Sequence, residues 1–131
     1  MSAVSALAEG ADTLFAEAAL ALGLPLHIVT PFADYENDFV SPAARNRYAR
    51  LRAAARSEQQ LPYGRRSGRA YQAAMRWVVG TSDVLLAAWD GRPSLGPGGT
   101  GDAVEHALSL GRDVVHLDVV DHIVRTCVAR P

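Results

Sequence analysis

Lysine is absent: all thirteen basic residues of this 131-residue chain are arginine. With 23 alanines, that is the imprint of a GC-rich coding sequence and bears on origin rather than chemistry. A single cysteine, Cys127, excludes an internal disulfide and any cysteine-rich zinc site, and makes a reducing, cytoplasmic setting the expectation. No apolar run approaches the roughly 20 residues that a bilayer span needs, and no signal-peptide pattern opens the chain, so no membrane partner is expected. Disorder does not fit 49% apolar against 21% charged residues. The length suits one domain, read as residues 1–120 with a tail over 121–131 whose structure is left open.

The charge is close to balanced overall and uneven along the chain. Residues 1–44 hold six acids and no base, 45–76 hold nine arginines against Glu58, and 77–131 hold seven acids against four arginines. A basic middle segment could attract nucleic acid. The reading favoured here is a solvated helix face: from Ser41 onward, Ala44, Tyr48, Leu51 and Ala55 form an apolar stripe, and the flanking arginines keep their guanidinium groups in water while their stems cover it.

Short apolar runs alternate with longer helical patterns, as in parallel sheets built from strands and crossover helices. Five strands are expected, at Ser2–Leu7, Pro25–Thr30, Gln59–Tyr63, Asp83–Trp89 and Val114–Val119. Four helices lie between them. The first is capped by Asp12, carries Leu14, Phe15, Ala18, Ala19 and Leu22 at helical spacing, and stops at Gly23. The second opens at Ser41-Pro42, a cap followed by proline at the first helical position. The third runs over Ser67–Gly80 and buries Ala70, Ala74, Trp77 and Val78; the fourth runs over Asp102–Leu110. The nearly continuous apolar run of Asp83–Trp89 predicts a strand buried on both faces.

The residues richest in chemistry form the loop Asp90–Gly101. It joins a strand to the N-terminus of a helix, where free backbone N–H groups and the positive end of the helix dipole favour an anion. Glycines let a phosphate approach the backbone, and ligands of open parallel sheets sit at the carboxyl ends of strands. The expected ligand contacts are Gly98, Gly99, Thr100, Gly101 and Asp102, with Arg92 beside them; Trp89 either stacks on a base, with Asp90 contacting a sugar, or packs in the core. The competing reading is a plain connection with Asp102 and Glu105 as a capping pair. Gly96, Gly98 and Gly101 also spell G-x-G-x-x-G, with Asp118 at the end of the next strand where a ribose-binding acid would stand. That fingerprint needs its first glycine directly after the strand, and residues 90–95 intervene.

Elsewhere the signals are thinner. No G-x-S-x-G occurs, and no His or Cys pair has metal-ligand spacing, so neither a metal nor a cofactor is expected. His27 and His116 lie on apolar strands and read as core or strand-end residues. Asp34, Glu36 and Asp38 read as a solvated acidic loop, or else as a wall contacting ribose hydroxyls or a cation.

Three segments carry a family resemblance. Val4-Ser5-Ala6-Leu7-Ala8-Glu9-Gly10-Ala11-Asp12, followed by Ala18-Ala19-Leu20 and Gly23, resembles the S-G-L-A-x-G-I-D segment of the DNA-processing protein A family. Pro97-Gly98-Gly99-Thr100-Gly101-Asp102-Ala103-Val104-Glu105 is similar to P-G-G-x-G-T-x-x-E of the Lonely Guy nucleotide phosphoribohydrolases. Thr30–Phe39 together with Ser82–Gly91 looks like bacterial proteins of the SLOG superfamily, to which both groups belong. The resemblance implies a Rossmann-like three-layer α/β/α domain with a mainly parallel sheet of about five strands, and a nucleotide-like small molecule as ligand, with Asp12 among its contacts. It implies a sensor or carrier module first. The second implied activity is N-glycosidic cleavage of a nucleotide, with Glu105 as carboxylate nucleophile or oxocarbenium stabiliser and Arg76 or Arg92 holding the 5′-phosphate. DNA binding comes third.

The sequence departs from these patterns at two points. Asp102 stands where the Lonely Guy pattern has threonine, and a carboxylate facing a phosphate repels it unless a cation, an arginine or a cap intervenes. The first strand also matches the family's second, so a central strand-helix unit is expected to be missing. Such a chain would be dimeric or marginally stable, because strand edges seek partners.

Overall fold

A computed structural model describes residues 1–94 and 99–127. The elements are β1 (Ala3–Ser5), α1 (Ala11–Ala21), β2 (Leu26–Thr30), a 3₁₀ turn over Tyr35–Asp38, α2 (Pro42–Ala54), β3 (Ser57–Gln60), α3 (Gly68–Gly80), β4 (Val84–Trp89), α4 (Thr100–Ser109), β5 (Asp113–Asp118) and β6 (Ile123–Cys127). The described residues form an α/β fold with four helices and two three-stranded sheets. The single sheet of about five strands is corrected in that respect: among the described residues the strands form two sheets, in the orders β1-β2-β3 and β4-β5-β6. The chain divides into two compact units, residues 1–70 and the residues from 71 onward. None of the described helices is long and apolar enough to cross a membrane.

The first unit holds the parallel sheet β1-β2-β3, with Ala3 opposite Leu26 and His27 opposite Ser57. Its first helix does not present the expected face. Thr13, Ala16 and Ala19 are buried, while Leu14 is 61% and Leu22 77% exposed. Small side chains let the helix backbone approach the sheet, and the larger leucines are left in water. The cap differs as well: Gly10, at φ 104, precedes the helix without a side-chain cap, and Asp12 instead accepts a hydrogen bond from the Ala8 N–H at 3.3 Å. The stop at Gly23 is as read. Its φ of 75 closes a turn in which the N–H groups of Gly23 and Leu24 reach the carbonyls of Leu20 and Ala19, both at 3.0 Å.

The cap of α2 forms as expected, with Ser41 Oγ accepting from the Ala44 N–H at 3.1 Å behind Pro42. Tyr48 and Leu51 are the buried residues of its stripe. Tyr48 belongs to an aromatic cluster beyond the end of β2. It stacks on Phe39 at 4.4 Å, and Tyr35 meets Phe32, Phe39 and Tyr48 edge-on at 5.5, 5.4 and 5.6 Å. These four rings are 3% exposed or less, so the acidic loop is anchored from inside by Tyr35, which lies between its carboxylates, and by Phe32 and Phe39 on either side of it.

In the second unit β4 and β5 are parallel, and β6 adds antiparallel to β5, which gives strand structure to residues 123–127 that the sequence left undecided. Val79 of α3 and Val104 and Ala107 of α4 pack with Ala87 and Val114 on one face of this sheet. Val84 and Leu86 are 51% and 47% exposed, so β4 is not buried on both faces as its unbroken apolar run suggests.

Candidate functional site

The loop leaving β4 is held by its own residues. Asp90 Oδ1 accepts the Arg92 N–H at 2.9 Å, and the Trp89 indole N–H donates to the Arg92 carbonyl at 2.8 Å. The chain then doubles back over the start of α4, where Ser94 Oγ accepts the Asp102 N–H at 2.9 Å. Gly101 makes this possible. A Cβ there would stand 2.8 Å from both the Arg92 carbonyl oxygen and the Ser94 nitrogen, closer than real contacts allow. Gly99 is the N-cap of α4, in extended backbone and with no side-chain cap of its own.

Trp89 is only half-buried, but its ring lies 4.9 Å from that of His116 at a 46° tilt and packs against the core below. His116 is 7% exposed and its Nε2 meets the Trp89 carbonyl at 2.8 Å, so this ring nitrogen carries the proton and donates. Across the register from Trp89 stands Asp118. Its Oδ1 accepts the N–H groups of Val120 and Asp121 at 2.9 and 2.8 Å, and Arg125 approaches Oδ2 at 3.4 Å. The Asp121 amide chiefly, with the Val120 amide and Arg125, holds its carboxyl below the usual carboxylate range. The acid that would bind a ribose in a dinucleotide fold is thus engaged in the turn between β5 and β6.

The structure therefore gathers Trp89, Asp90, Arg92, Gly101 and Asp102 around one loop, with Thr100 exposed beside them and Gly99 half-buried. Gly98 lies outside the described residues. Glu105 is exposed on α4 and Arg76 on α3, and no hydrogen bond or ion pair among the described residues joins either to the loop or to each other. Asp12 belongs to the other unit, where burial pushes its carboxyl up despite the Ala8 amide. Sequence reasoning missed Ser94, whose partner is eight positions away with no short-range spacing to announce it.

Four of the nine arginines in the basic segment have side-chain partners given by the structure. Arg47 pairs with Glu17 through two hydrogen bonds at 2.5 and 2.8 Å, and Arg52 pairs with Glu58 at 2.7 and 3.1 Å. Arg45 donates to the Phe39 carbonyl at 2.8 Å, and Arg66 lies 3.9 Å from Asp38. Among the described residues no group of three His, Cys, Asp or Glu side chains is placed to hold a metal ion. Comparison with models of known families finds no match, and comparison with curated proteins finds none either.

Proposed function

We propose that the protein binds a nucleotide or nucleotide-derived ligand at the N-terminus of α4, as a Rossmann-like module of the SLOG kind acting as sensor or carrier. The observation that carries this reading is the glycine N-cap at the carboxyl end of a parallel strand, opening a ten-residue helix whose first turn is Thr100-Gly101-Asp102. The helix dipole and the amides of that turn favour a phosphate there. Because Ser94 already engages the Asp102 amide, the phosphate contacts fall to the Thr100 and Gly101 amides and the Thr100 hydroxyl. Arg92, exposed on the same loop, supplies the countercharge that offsets the Asp102 carboxylate.

A thermal-shift titration with adenosine mono-, di- and cyclic phosphates tests the reading. A ligand that binds the folded state raises the melting temperature with concentration. Gly99→Val should abolish the shift, and the Gly99 backbone at φ −75 is open to any residue, so the melting temperature of the free variant, measured beside the parent, separates loss of the site from loss of the fold. The absence of any shift across the panel, or a shift that survives Gly99→Val, removes this site.

A further inference from the structure

Among the described residues from 71 onward, His116 is the only buried polar one. Strand alternation puts it on the face of Val114, which carries the apolar core, and the register sets it between Ala87 of β4 and Arg125 of β6. An imidazole in that place gives up water that an aliphatic side chain would not need. What it gains is a hold on Trp89. Its Nε2–H donates to the Trp89 carbonyl at 2.8 Å, nearer than the Val119 amide, which reaches the same oxygen at 3.3 Å. The two rings lie 4.9 Å apart. Backbone and side chain of Trp89 are thus both fixed from β5, at the point where the chain leaves β4.

We infer that His116 is a positioning residue for the loop after β4, acting through Trp89 to place Arg92 at the start of α4; the inference rests on the phosphate site proposed above. The linkage is continuous. The Trp89 indole N–H donates to the Arg92 carbonyl at 2.8 Å, and that carbonyl oxygen is one of the two backbone atoms 2.8 Å from where a Gly101 Cβ would stand. A displaced indole therefore moves Arg92 against the first turn of α4, where the phosphate contacts fall. Asp90 Oδ1 holds the Arg92 amide at 2.9 Å, so a carboxylate and an indole fix the backbone of one residue while its side chain stays exposed. Binding groups have to be held within about 0.5 Å of their productive geometry. A loop that is already fixed also binds without the entropic cost of being ordered by its ligand.

Trp77→Phe leaves Trp89 as the only tryptophan of the full chain, so emission in that background reports on its indole alone. There His116→Gln, whose amide nitrogen takes the place of Nε2, should keep the emission maximum and the acrylamide quenching of the parent. His116→Leu should shift the emission to the red and raise the quenching. Its melting temperature should hold, because the Trp89 carbonyl keeps the Val119 amide and an aliphatic side chain suits the core. The adenosine mono-, di- and cyclic phosphates that stabilise the parent, titrated by thermal shift, should bind His116→Leu about three- to tenfold more weakly, the worth of one hydrogen bond, and His116→Gln as well as the parent. Trp89→Phe, which keeps a ring on His116 and loses only the bond to Arg92, should weaken them by the same factor. Unchanged emission and quenching in His116→Leu overturn the inference, as does a glutamine variant altered as much as the leucine one, or a Trp89→Phe variant that binds like the parent. A parent that none of these phosphates stabilises removes the site and with it the role of His116, whereas altered emission with unaltered affinity in His116→Leu overturns the positioning role alone.

Discussion

Ser94 and Asp102 are joined by a hydrogen bond from the Asp102 amide to the Ser94 hydroxyl, 2.9 Å long, which caps α4 from a loop eight residues upstream. A helix normally takes its cap from the residue just before its first turn. At α4 that residue is Gly99, which has no side chain to offer. Distant capping ties the first turn to the loop that follows β4.

Ser94→Ala should therefore cost about 1 kcal/mol, the usual worth of a cap, or a few degrees of melting temperature. Gly101→Ala should cost more, about 1–3 kcal/mol, because its methyl group meets backbone atoms that cannot swing aside. Equal effects from the two changes, measured by denaturant unfolding, would mean that the loop is not seated on Gly101.

The orientation of α1 gives a second prediction. Ala16 is fully buried and Leu14 is 61% exposed, so enlarging the small residue should hurt more than making the large one polar. Ala16→Leu should destabilise by about 1–3 kcal/mol through overpacking. Leu14→Gln should stay within about 0.5 kcal/mol of the parent. Reversed magnitudes would restore the leucine-inward face.

These two elements also show what the sequence can and cannot disclose. The Ser41-Pro42 cap was legible because its chemistry is local, and the end of α1 and the limits of α3 and β2 were legible because glycine, proline and periodicity act within a few residues. The face of α1 was not, since its pattern offers both a leucine stripe and an alanine stripe, and the distance to the sheet chooses between them. The aliphatic run of β4 reads alike whether one face or two are covered; the cover comes from other elements. In the candidate site, the glycine-rich turn was visible. Its long-range fastening by Ser94, and the engagement of Asp118 by its own turn, depend on how the loops fold back.

Three carboxylates should respond to pH with opposite signs. Arg47 holds Glu17 below its usual value, and the Asp121 and Val120 amides with Arg125 hold Asp118 below its own. Their stabilising effect is present above the unfolded-state pKa and is lost as pH falls through the folded one. Burial pushes Asp12 the other way. Its folded state keeps a proton that the unfolded chain has released, so ionisation of Asp12 costs stability as pH rises from the unfolded to the folded pKa. Asp12→Asn should accordingly raise the melting temperature at neutral pH and lose that advantage near pH 3, below the ordinary carboxylate pKa. Asp118→Asn should lower it at neutral pH, with the penalty shrinking in acid. Carboxyl-carbon NMR titration checks the directions: Asp12 should titrate above Asp118, and Glu17 below an ordinary glutamate.

Tyr48 offers the last test, because its ring and its hydroxyl act in opposite directions. The ring is 3% exposed and stacks on Phe39 at 4.4 Å. The hydroxyl is buried near Thr30 but outside hydrogen-bond geometry, while the Thr30 hydroxyl turns to Glu58 at 3.1 Å. A buried hydroxyl without a partner has lost its water and gained nothing in return. Tyr48→Phe keeps every ring contact and removes that cost, so stability should hold or rise by up to about 1 kcal/mol. Tyr48→Ala deletes the ring and should cost about 3–5 kcal/mol, as for other buried aromatic residues. Thermal unfolding of the two variants beside the parent separates the contributions; a loss above about 1 kcal/mol for Tyr48→Phe would show that the hydroxyl is hydrogen-bonded after all.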